Sequence, residues 1–158
     1  MRLGHIVNGC GTGKGTPVIE NLIGLDFSVF ALSLYRGKIK VLGDMVQLPF
    51  KSNSFSNILF IHSLDHLSAE ERSQALEEAG RVLNEDGRVI IRVFSRLDFR
   101  YGKGQETEEA TFLRGNRIQT HYFQMSKIER SPRAFPPREV PPKPCKPSAQ
   151  TCLPNEVL

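Results

Sequence analysis

Short apolar runs alternate with polar and glycine-rich segments along the first 94 residues. Their length and β-branched content are typical of buried strands, and they predict five: residues 3–7, 22–25, 39–42, 54–61 and 88–94. Apolar residues three and four apart predict a long helix over residues 68–84, which begins with a capping box formed by Ser68 and Glu71. This order of strands and helices predicts a parallel, doubly wound α/β sheet.

Weaker signals predict two short helices and one turn. Thr16 before Pro17 suits a helix start, with threonine as cap and proline at the first helical position. Ser28 caps a second short helix that ends near Tyr35. The Asp-Gly pair at 86–87 predicts the turn that separates the long helix from the fifth strand.

Beyond Phe94 the pattern weakens. Residues 117–123 predict a further strand, and Ser126 begins a segment that looks like another capped helix. Eight prolines lie between residues 132 and 154, and neither a helix nor a central strand accepts such a run. We therefore expect one folded domain over residues 1–131 and a proline-rich, disordered tail over residues 132–158.

The loop after the first strand carries the chemistry. Gly9, Gly11 and Gly13 form a Gly-x-Gly-x-Gly turn that brings bare backbone close to a ligand. A phosphate-binding P-loop would need glycine in place of Asn8 and a hydroxyl residue in place of Gly15. The dinucleotide fingerprint would need a third glycine at position 14 or 16, where lysine and threonine stand. Both of these glycine loops are therefore excluded.

An acid follows each of the next two strands, Asp26 and Asp44, and the stretch 63–68 follows the fourth. With the glycine loop, this order resembles the class I S-adenosylmethionine (SAM)-dependent methyltransferases of the type 11 domain, over residues 3–94 and more faintly to about residue 130. Within that group the chain is most similar to tRNA wobble-uridine carboxymethyl methyltransferases. The resemblance implies a Rossmann-like doubly wound, mostly parallel sheet that is incomplete at both ends.

The resemblance also implies SAM as cofactor and a set of cofactor-binding residues: Gly9, Cys10, Gly11, Gly13, Asp26, Phe27, Asp44, Met45, Ile61 and His62. The glycine loop and the helix at Thr16 would meet the cofactor carboxylate, and Asp26 would accept both ribose hydroxyls. Phe27, Asp44 and Met45 would surround adenine. Three alternatives stay open: Asp26 as a turn residue, Phe27 as a core aromatic and Asp44 as a turn cap.

The resemblance assigns the catalytic position to His66. A neutral acceptor could pass its proton to this histidine, whereas a carboxylate acceptor needs no base. A structural histidine packed under the next helix is the alternative. One departure concerns Val7, because the family carries an acid there that helps to hold the cofactor ammonium.

Charge divides the chain unevenly. Residues 1–87 carry 8 Lys and Arg against 10 Asp and Glu, and residues 88–158 carry 13 against 7. Seven cations could line one rim of the sheet and meet phosphates: Arg88, Arg92, Arg96, Arg100, Lys103, Arg114 and Arg117. A solvated basic face is the alternative. Three function classes follow: an RNA methyltransferase acting on tRNA, a small-molecule methyltransferase, and an abbreviated non-catalytic domain that needs an activating protein partner.

Composition points to one cytoplasmic domain. The chain has 158 residues, of which 39% are hydrophobic, and no stretch approaches the roughly 20 apolar residues of a membrane span. We therefore expect no membrane partner. Cys10, Cys145 and Cys152 are expected to be free thiols in a reducing compartment, and we expect no metal site.

Overall fold

The computed structural model describes residues 3–115 and 117–124. The helix expected at Ser126 and the tail expected over residues 132–158 lie outside the described residues. The division of the chain at residue 131 therefore stays a prediction.

The main sheet has five parallel strands in the order β3-β2-β1-β4-β5. They are β1 (Leu3–Asn8), β2 (Leu22–Asp26), β3 (Ile39–Leu42), β4 (Phe55–Ile61) and β5 (Leu83–Arg92). Helix α1 (Val29–Leu34) connects β2 to β3, and a 3-10 turn (Leu64–His66) and helix α2 (Ala69–Val82) connect β4 to β5. The predicted parallel α/β sheet is confirmed. No helix in the described part of the chain is long and apolar enough to cross a membrane.

Alternation along the strands builds two apolar layers, one on each face of the sheet. Ile6 and Phe60 face the layer that contains the buried residues of α2, whereas Val7 and Leu59 face the layer that contains Leu32 of α1. The two helices therefore lie on opposite faces, which makes the sheet doubly wound.

Helix α2 forms as its pattern predicts. The Ser68 hydroxyl accepts a hydrogen bond from the Glu71 amide at 3.3 Å, and the Glu71 carboxylate accepts one from the Ser68 amide at 2.8 Å. The bond from the Ser68 amide to the carboxylate is the main cause that lowers the pKa of Glu71. Ala75, Ala79 and Val82 bury one side of the helix against the sheet.

The helix predicted at Thr16 is wrong, because residues 12–20 contain turns and irregular backbone. Gly13 and Gly15 have φ values of +83° and +89°, outside the helical region. Tyr35 packs on this side of the sheet, and a Cβ added at Gly13 would lie within 3.0 Å of its ring. The segment is therefore packed against the buried tyrosine at Gly13, and residues 14–20 continue as exposed or half-buried irregular backbone and turns.

The chain folds back near residues 86–87 as predicted, because a Cβ at Gly87 would lie 2.6 Å from the Leu83 side chain. This turn lies within β5 and not before it, since β5 begins directly after α2. Leu83 pairs with buried Phe55, and the register shifts before Arg88 pairs with Asn57. Early pairing of an apolar residue therefore converts the expected turn into an irregular part of one strand.

A second, antiparallel sheet consists of β6 (Gln105–Glu108), β7 (Thr111–Leu113) and β8 (Gln119–His121). The strand expected over residues 117–123 corresponds to β8. Strands β6 and β7 were not predicted, because β6 is polar and mostly exposed and has no apolar alternation. The Arg96 amide donates to the Phe123 carbonyl at 3.0 Å, which attaches this small sheet to the end of β5.

Candidate active site

The carboxyl ends of β1, β2, β3 and β4 meet at one edge of the sheet because these strands are parallel. Strand β1 has β2 on one side and β4 on the other, so the strand order reverses at β1. In open α/β sheets this reversal opens the crevice in which ligands bind. The glycine loop follows β1 and therefore lies at that crevice.

The first two glycines are required for different reasons. A Cβ at Gly9 would lie 2.6 Å from Cβ of Ser63 and 2.8 Å from Cε of Met45, so a larger residue has no room. Gly11 has φ +52° and nothing within 4 Å of a Cβ position, so its conformation rather than its neighbours favours glycine. The loop is therefore packed against the loop after β4 at Gly9 and faces open space at Gly11.

Asp26 connects three parts of the site. Its Oδ2 accepts a hydrogen bond from the Gly11 amide at 2.8 Å, and its Oδ1 accepts one from the Ser28 amide at 2.9 Å. Its carbonyl accepts a third from Gly43 at 3.1 Å. Each carboxylate oxygen has a second lone pair, so Asp26 can hold the loop and still accept two hydroxyl groups.

An exposed apolar platform lies beside Asp26. Phe27 is 75% exposed, so the alternative of a core aromatic is wrong. Leu42, the register partner of Asp26 on β3, is 57% exposed. Sequence reasoning missed Leu42, although an apolar residue directly before Gly43 at a strand end was a usable signal. Such a platform suits the flat face of an aromatic ring.

Asp44 and Met45 follow β3 at the same edge. Asp44 is exposed, and its Oδ1 accepts a hydrogen bond from the Val46 amide at 3.0 Å, so it does cap a turn. Met45 is buried in the apolar layer beside α2. The structure brings Met45 next to the glycine loop, where its Cε lies 2.8 Å from a Cβ position at Gly9, and Asp44 directly precedes it in the chain.

The main-chain amide and carbonyl groups of Cys10 both make hydrogen bonds. Its amide donates to the Leu25 carbonyl at 3.0 Å, and its carbonyl accepts from the Gly13 amide at 2.9 Å. Burial and the nearby Asp26 carboxylate raise the pKa of the Cys10 thiol to about 12. Ile61, the last residue of β4, packs against the same apolar layer as Cys10. Both residues therefore support the loop through packing.

His62 directly follows β4 and is oriented by a buried acid. Its Nδ1 lies 3.2 Å from Oδ2 of Asp65, whose Oδ1 accepts a hydrogen bond from the Phe94 amide at 2.8 Å. The His62 ring stacks on Phe94 with 4.2 Å between ring centroids. Its φ of +54° is unusual for a residue other than glycine and often marks a functional site. Sequence reasoning missed the pairing with Asp65, although the spacing of three residues indicated it.

His66 is exposed rather than packed under α2. Its Nδ1 lies 2.9 Å from the carbonyl oxygen of Gln119 on β8. Because a carbonyl only accepts, Nδ1 of the neutral ring carries the hydrogen and Nε2 carries a lone pair. The ring is thus fixed in the tautomer that can accept a proton from a ligand.

Polar groups without partners lie where β1 ends. Asn8 is fully buried, and neither atom of its amide group has a hydrogen-bond partner among the described residues. The Ser63 hydroxyl is in the same situation. Leaving such groups unpaired costs about 1–3 kcal/mol each, so they point to a polar ligand at this end of the sheet. The side chain of Val7, next to Asn8 in β1, lies fully buried in the apolar layer beside α1 and offers no polar group to such a ligand.

The basic rim is not a uniform row of available charges. Arg96 pairs with Glu109 at 2.8 Å, and Arg100 pairs with Asp98 at 2.6 Å. Arg88, Lys103 and Arg117 are exposed. Within residues 3–115 and 117–124, no group of three or more His, Cys, Asp or Glu side chains is placed to hold a metal ion.

Three curated relatives are similar to part of this chain. An uncharacterised protein of Methanocaldococcus jannaschii is 34% identical over 97 residues, 59% of this chain and 38% of that protein. The Mus musculus protein named Probable tRNA methyltransferase 9B is 33% identical over 92 residues, 55% and 21% of the two chains. The Mus musculus tRNA (carboxymethyluridine(34)-5-O)-methyltransferase is 30% identical over 115 residues, 70% and 17%. The chain spans less than half the length of these relatives.

Solved structures share the fold. A protein of Pyrococcus horikoshii superposes with a TM-score of 0.65 at 21% identity, covering 80% of this chain and 69% of that one. A SAM-dependent methyltransferase from Thermotoga maritima gives 0.53 at 26% identity, covering 58% and 44%. A family model described as a methyltransferase domain matches residues 7–91, which is more than half of the 158 residues. The chain therefore belongs to this family and is a methyltransferase domain of the SAM-dependent class.

Proposed function

We propose that this chain binds SAM at the carboxyl edge of its sheet and transfers the methyl group to tRNA, with the carboxylate of a modified wobble uridine as acceptor. The contact between Asp26 and Gly11, 2.8 Å long, carries the proposal. It joins the glycine loop to the acid after β2, and a ribose must meet both of these elements in the crevice.

The residues of the crevice fit the parts of SAM. Asp26 accepts hydrogen bonds from the ribose diol, Phe27 and Leu42 cover the adenine ring, and Asp44 accepts from its amino group. Asn8 and Ser63 supply the unpaired buried polar groups for the methionine end. Bound SAM supplies an electrophilic methyl group on a sulfonium. The chain has to align the acceptor with that group and exclude water.

Relatives and charge support tRNA as the acceptor. Two of the relatives carry names that give them as tRNA methyltransferases, and residues 88–158 carry an excess of positive charge. A carboxylate acceptor is already ionised and needs no base. Nε2 of His66 carries a lone pair, so it accepts a hydrogen bond from a ribose hydroxyl group of the tRNA and does not donate to the carboxylate.

The two histidines favour a second candidate, a small-molecule acceptor with an N–H or O–H group. Both His62 and His66 bond through Nδ1 to an oxygen that accepts, which leaves Nε2 able to take a proton from such a nucleophile. His66 then serves as the general base. Methyl transfer to tRNA but not to small amines or phenols decides for the first candidate.

An activating protein partner is part of the proposal. Large apolar side chains are exposed between residues 18 and 34, among them Val29 and Phe30 of α1. Exposed apolar surface of this kind is typical of interfaces. A partner that binds there is expected to slow amide hydrogen exchange in α1, and unchanged exchange argues against it.

Titration calorimetry tests the cofactor assignment. Asp26→Ala is expected to remove most SAM affinity, because it deletes the acceptor of two hydroxyl groups. Phe27→Ala is expected to weaken binding without destabilising the fold, because Phe27 is exposed. Asp86→Ala, at an exposed acid of β5, is the matched control and should leave affinity unchanged. Equal affinities in all of these variants, or no binding by the parent chain, contradict the assignment.

A further inference from the structure

The segment between β5 and β6, residues 95–104, carries an exposed aromatic side chain beside two cations. We propose that Phe99 in this segment is a stacking site for an unpaired RNA base next to the nucleotide that is methylated. The inference rests on the proposed tRNA function and adds the surface that would recognise the strand. The segment lies outside residues 7–91, which the family model matches.

Exposure alone says little, since single apolar residues at a surface are common. Phe99 is 71% exposed and Leu97 is 67% exposed. What distinguishes Phe99 is its surroundings. Nζ of Lys103 lies 5.3 Å from the ring centroid, and the Arg100 guanidinium lies 5.4 Å from it. Arg100 is paired with Asp98, so Lys103 is the cation that can meet a phosphate, and an aromatic face beside such a cation binds single-stranded nucleic acid through stacking and a phosphate contact together.

A continuous row of flat groups connects Phe99 to the crevice. The Arg100 guanidinium also lies over the Phe94 ring, 4.2 Å from its centroid, and Phe94 stacks on His62 at 4.2 Å. His62 follows β4 at the carboxyl edge of the sheet. A strand whose target nucleotide lies at His62 would therefore bring a neighbouring base to Phe99.

The segment is held in one shape by its own contacts. Arg100 donates to both oxygens of Asp98, at 2.7 and 2.6 Å. The Tyr101 amide donates to the Asp98 carbonyl at 2.9 Å, and the Tyr101 ring packs against Phe112 and Tyr122. Phe99 is thus exposed on a fixed turn between anchored neighbours. A site that is ordered before binding loses little entropy when the base arrives.

The nearby acids are engaged elsewhere. Glu109 pairs with Arg96, Glu108 pairs with Arg72, and the Glu106 carboxylate accepts from the Ala110 amide. Lys103 makes no ion pair with another described residue. Lys103 therefore gives the face beside Phe99 a positive charge that can meet a phosphate. An uncharged apolar partner would make no use of this charge.

The test uses the full 158-residue chain and a fluorescent oligouridylate of about 12 nucleotides, with affinity measured by anisotropy. Phe99→Ala is expected to weaken binding roughly 5- to 150-fold, the effect of losing one stacked base. Phe99→Trp should retain binding, because it restores a π face. Leu97→Ala is the matched control, with similar exposure and no ring, and should change affinity less than about twofold.

Salt separates stacking from charge. Phe99→Ala should leave the slope of log affinity against log salt unchanged. Lys103→Gln should make this slope less steep by about 0.7, because one phosphate contact is lost. The tail contributes equally in every variant, so the differences report on this segment alone.

Equal losses in Phe99→Ala and Leu97→Ala overturn the inference, because the ring then contributes no more than another exposed apolar side chain; no RNA binding or no effect of Phe99→Ala overturns it as well. SAM titration of the same variants keeps the two proposals apart. A parent chain that binds RNA through Phe99 but not SAM contradicts the proposed function alone. A chain that binds SAM, and whose RNA affinity is unchanged by Phe99→Ala, contradicts this inference alone.

Discussion

Val7 shows how one residue can change the character of a site. An acid is usual at this position in the methyltransferases that the sequence resembles, but here the side chain is fully buried among Cys10, Leu22, Tyr35 and other apolar residues. The unpaired polar groups of Asn8 and Ser63 lie at the same end of β1. The polar end of a cofactor therefore has uncharged donors and acceptors next to Gly9 in place of a carboxylate.

Restoring the family acid should damage the fold. Val7→Asp buries a charge in an apolar layer without a partner, and we expect a loss of about 3–5 kcal/mol in the free energy of unfolding. Val7→Thr, which has nearly the same shape, is the control and should lose much less. Urea unfolding of the three proteins measures the difference. An aspartate variant that keeps its stability and binds SAM more tightly contradicts this interpretation.

Sequence reasoning predicted the position of the candidate residues in the fold better than it predicted their contacts. Asp26 and the glycines could be located because their spacing follows the strand ends. The bonds from Asp65 to His62 and from Gln119 to His66 depend on tertiary contacts. Only the first of these has a local spacing that a sequence can display.

Elements with a strong period were predicted, and elements without one were not. The residues of β3 and the capping box of α2 agree with the sequence because alternation and capping act locally. The helix expected at Thr16 does not form: Gly13 and Gly15 before it adopt positive φ values, Gly13 packs against Tyr35, and residues 16–20 remain irregular. The polar strand β6 pairs with β7 through its backbone, which leaves no apolar signature.

The small sheet contains a titratable group that should make it sensitive to acid. Burial, together with the charges of Arg72 and Arg96, lowers the pKa of His121 from 6.5 to about 4. The folded protein thus keeps His121 neutral where the unfolded chain binds a proton, so stability is lost as the pH falls from 6.5 toward 4. His121→Gln should lack this part of the loss and keep a hydrogen bond to Thr111. Thermal unfolding between pH 7 and 4 measures both proteins, and identical pH dependences contradict the prediction.

The whole chain combines the parallel sheet of a SAM-dependent methyltransferase domain with an uneven distribution of charge. The parallel sheet could be predicted because short apolar strands alternate with helical segments along the chain. The distribution of available charge could not be predicted, because Arg96 and Arg100 are paired with Glu109 and Asp98. Counting cations along the sequence therefore overestimates the number that can meet phosphates.

This difference can be measured as the salt dependence of tRNA binding. Replacing the exposed Arg88, Lys103 and Arg117 together with glutamine should reduce the slope of log affinity against log salt by about 2–3, since each phosphate contact contributes roughly 0.7–0.9. Arg96→Gln, which breaks an ion pair with Glu109 at 2.8 Å, is the control and should barely change the slope. An unrelated RNA of equal length shows how much of the binding is non-specific. If the triple variant and Arg96→Gln have the same slope as the parent, these three cations do not contact phosphates, and a small-molecule acceptor becomes the better assignment.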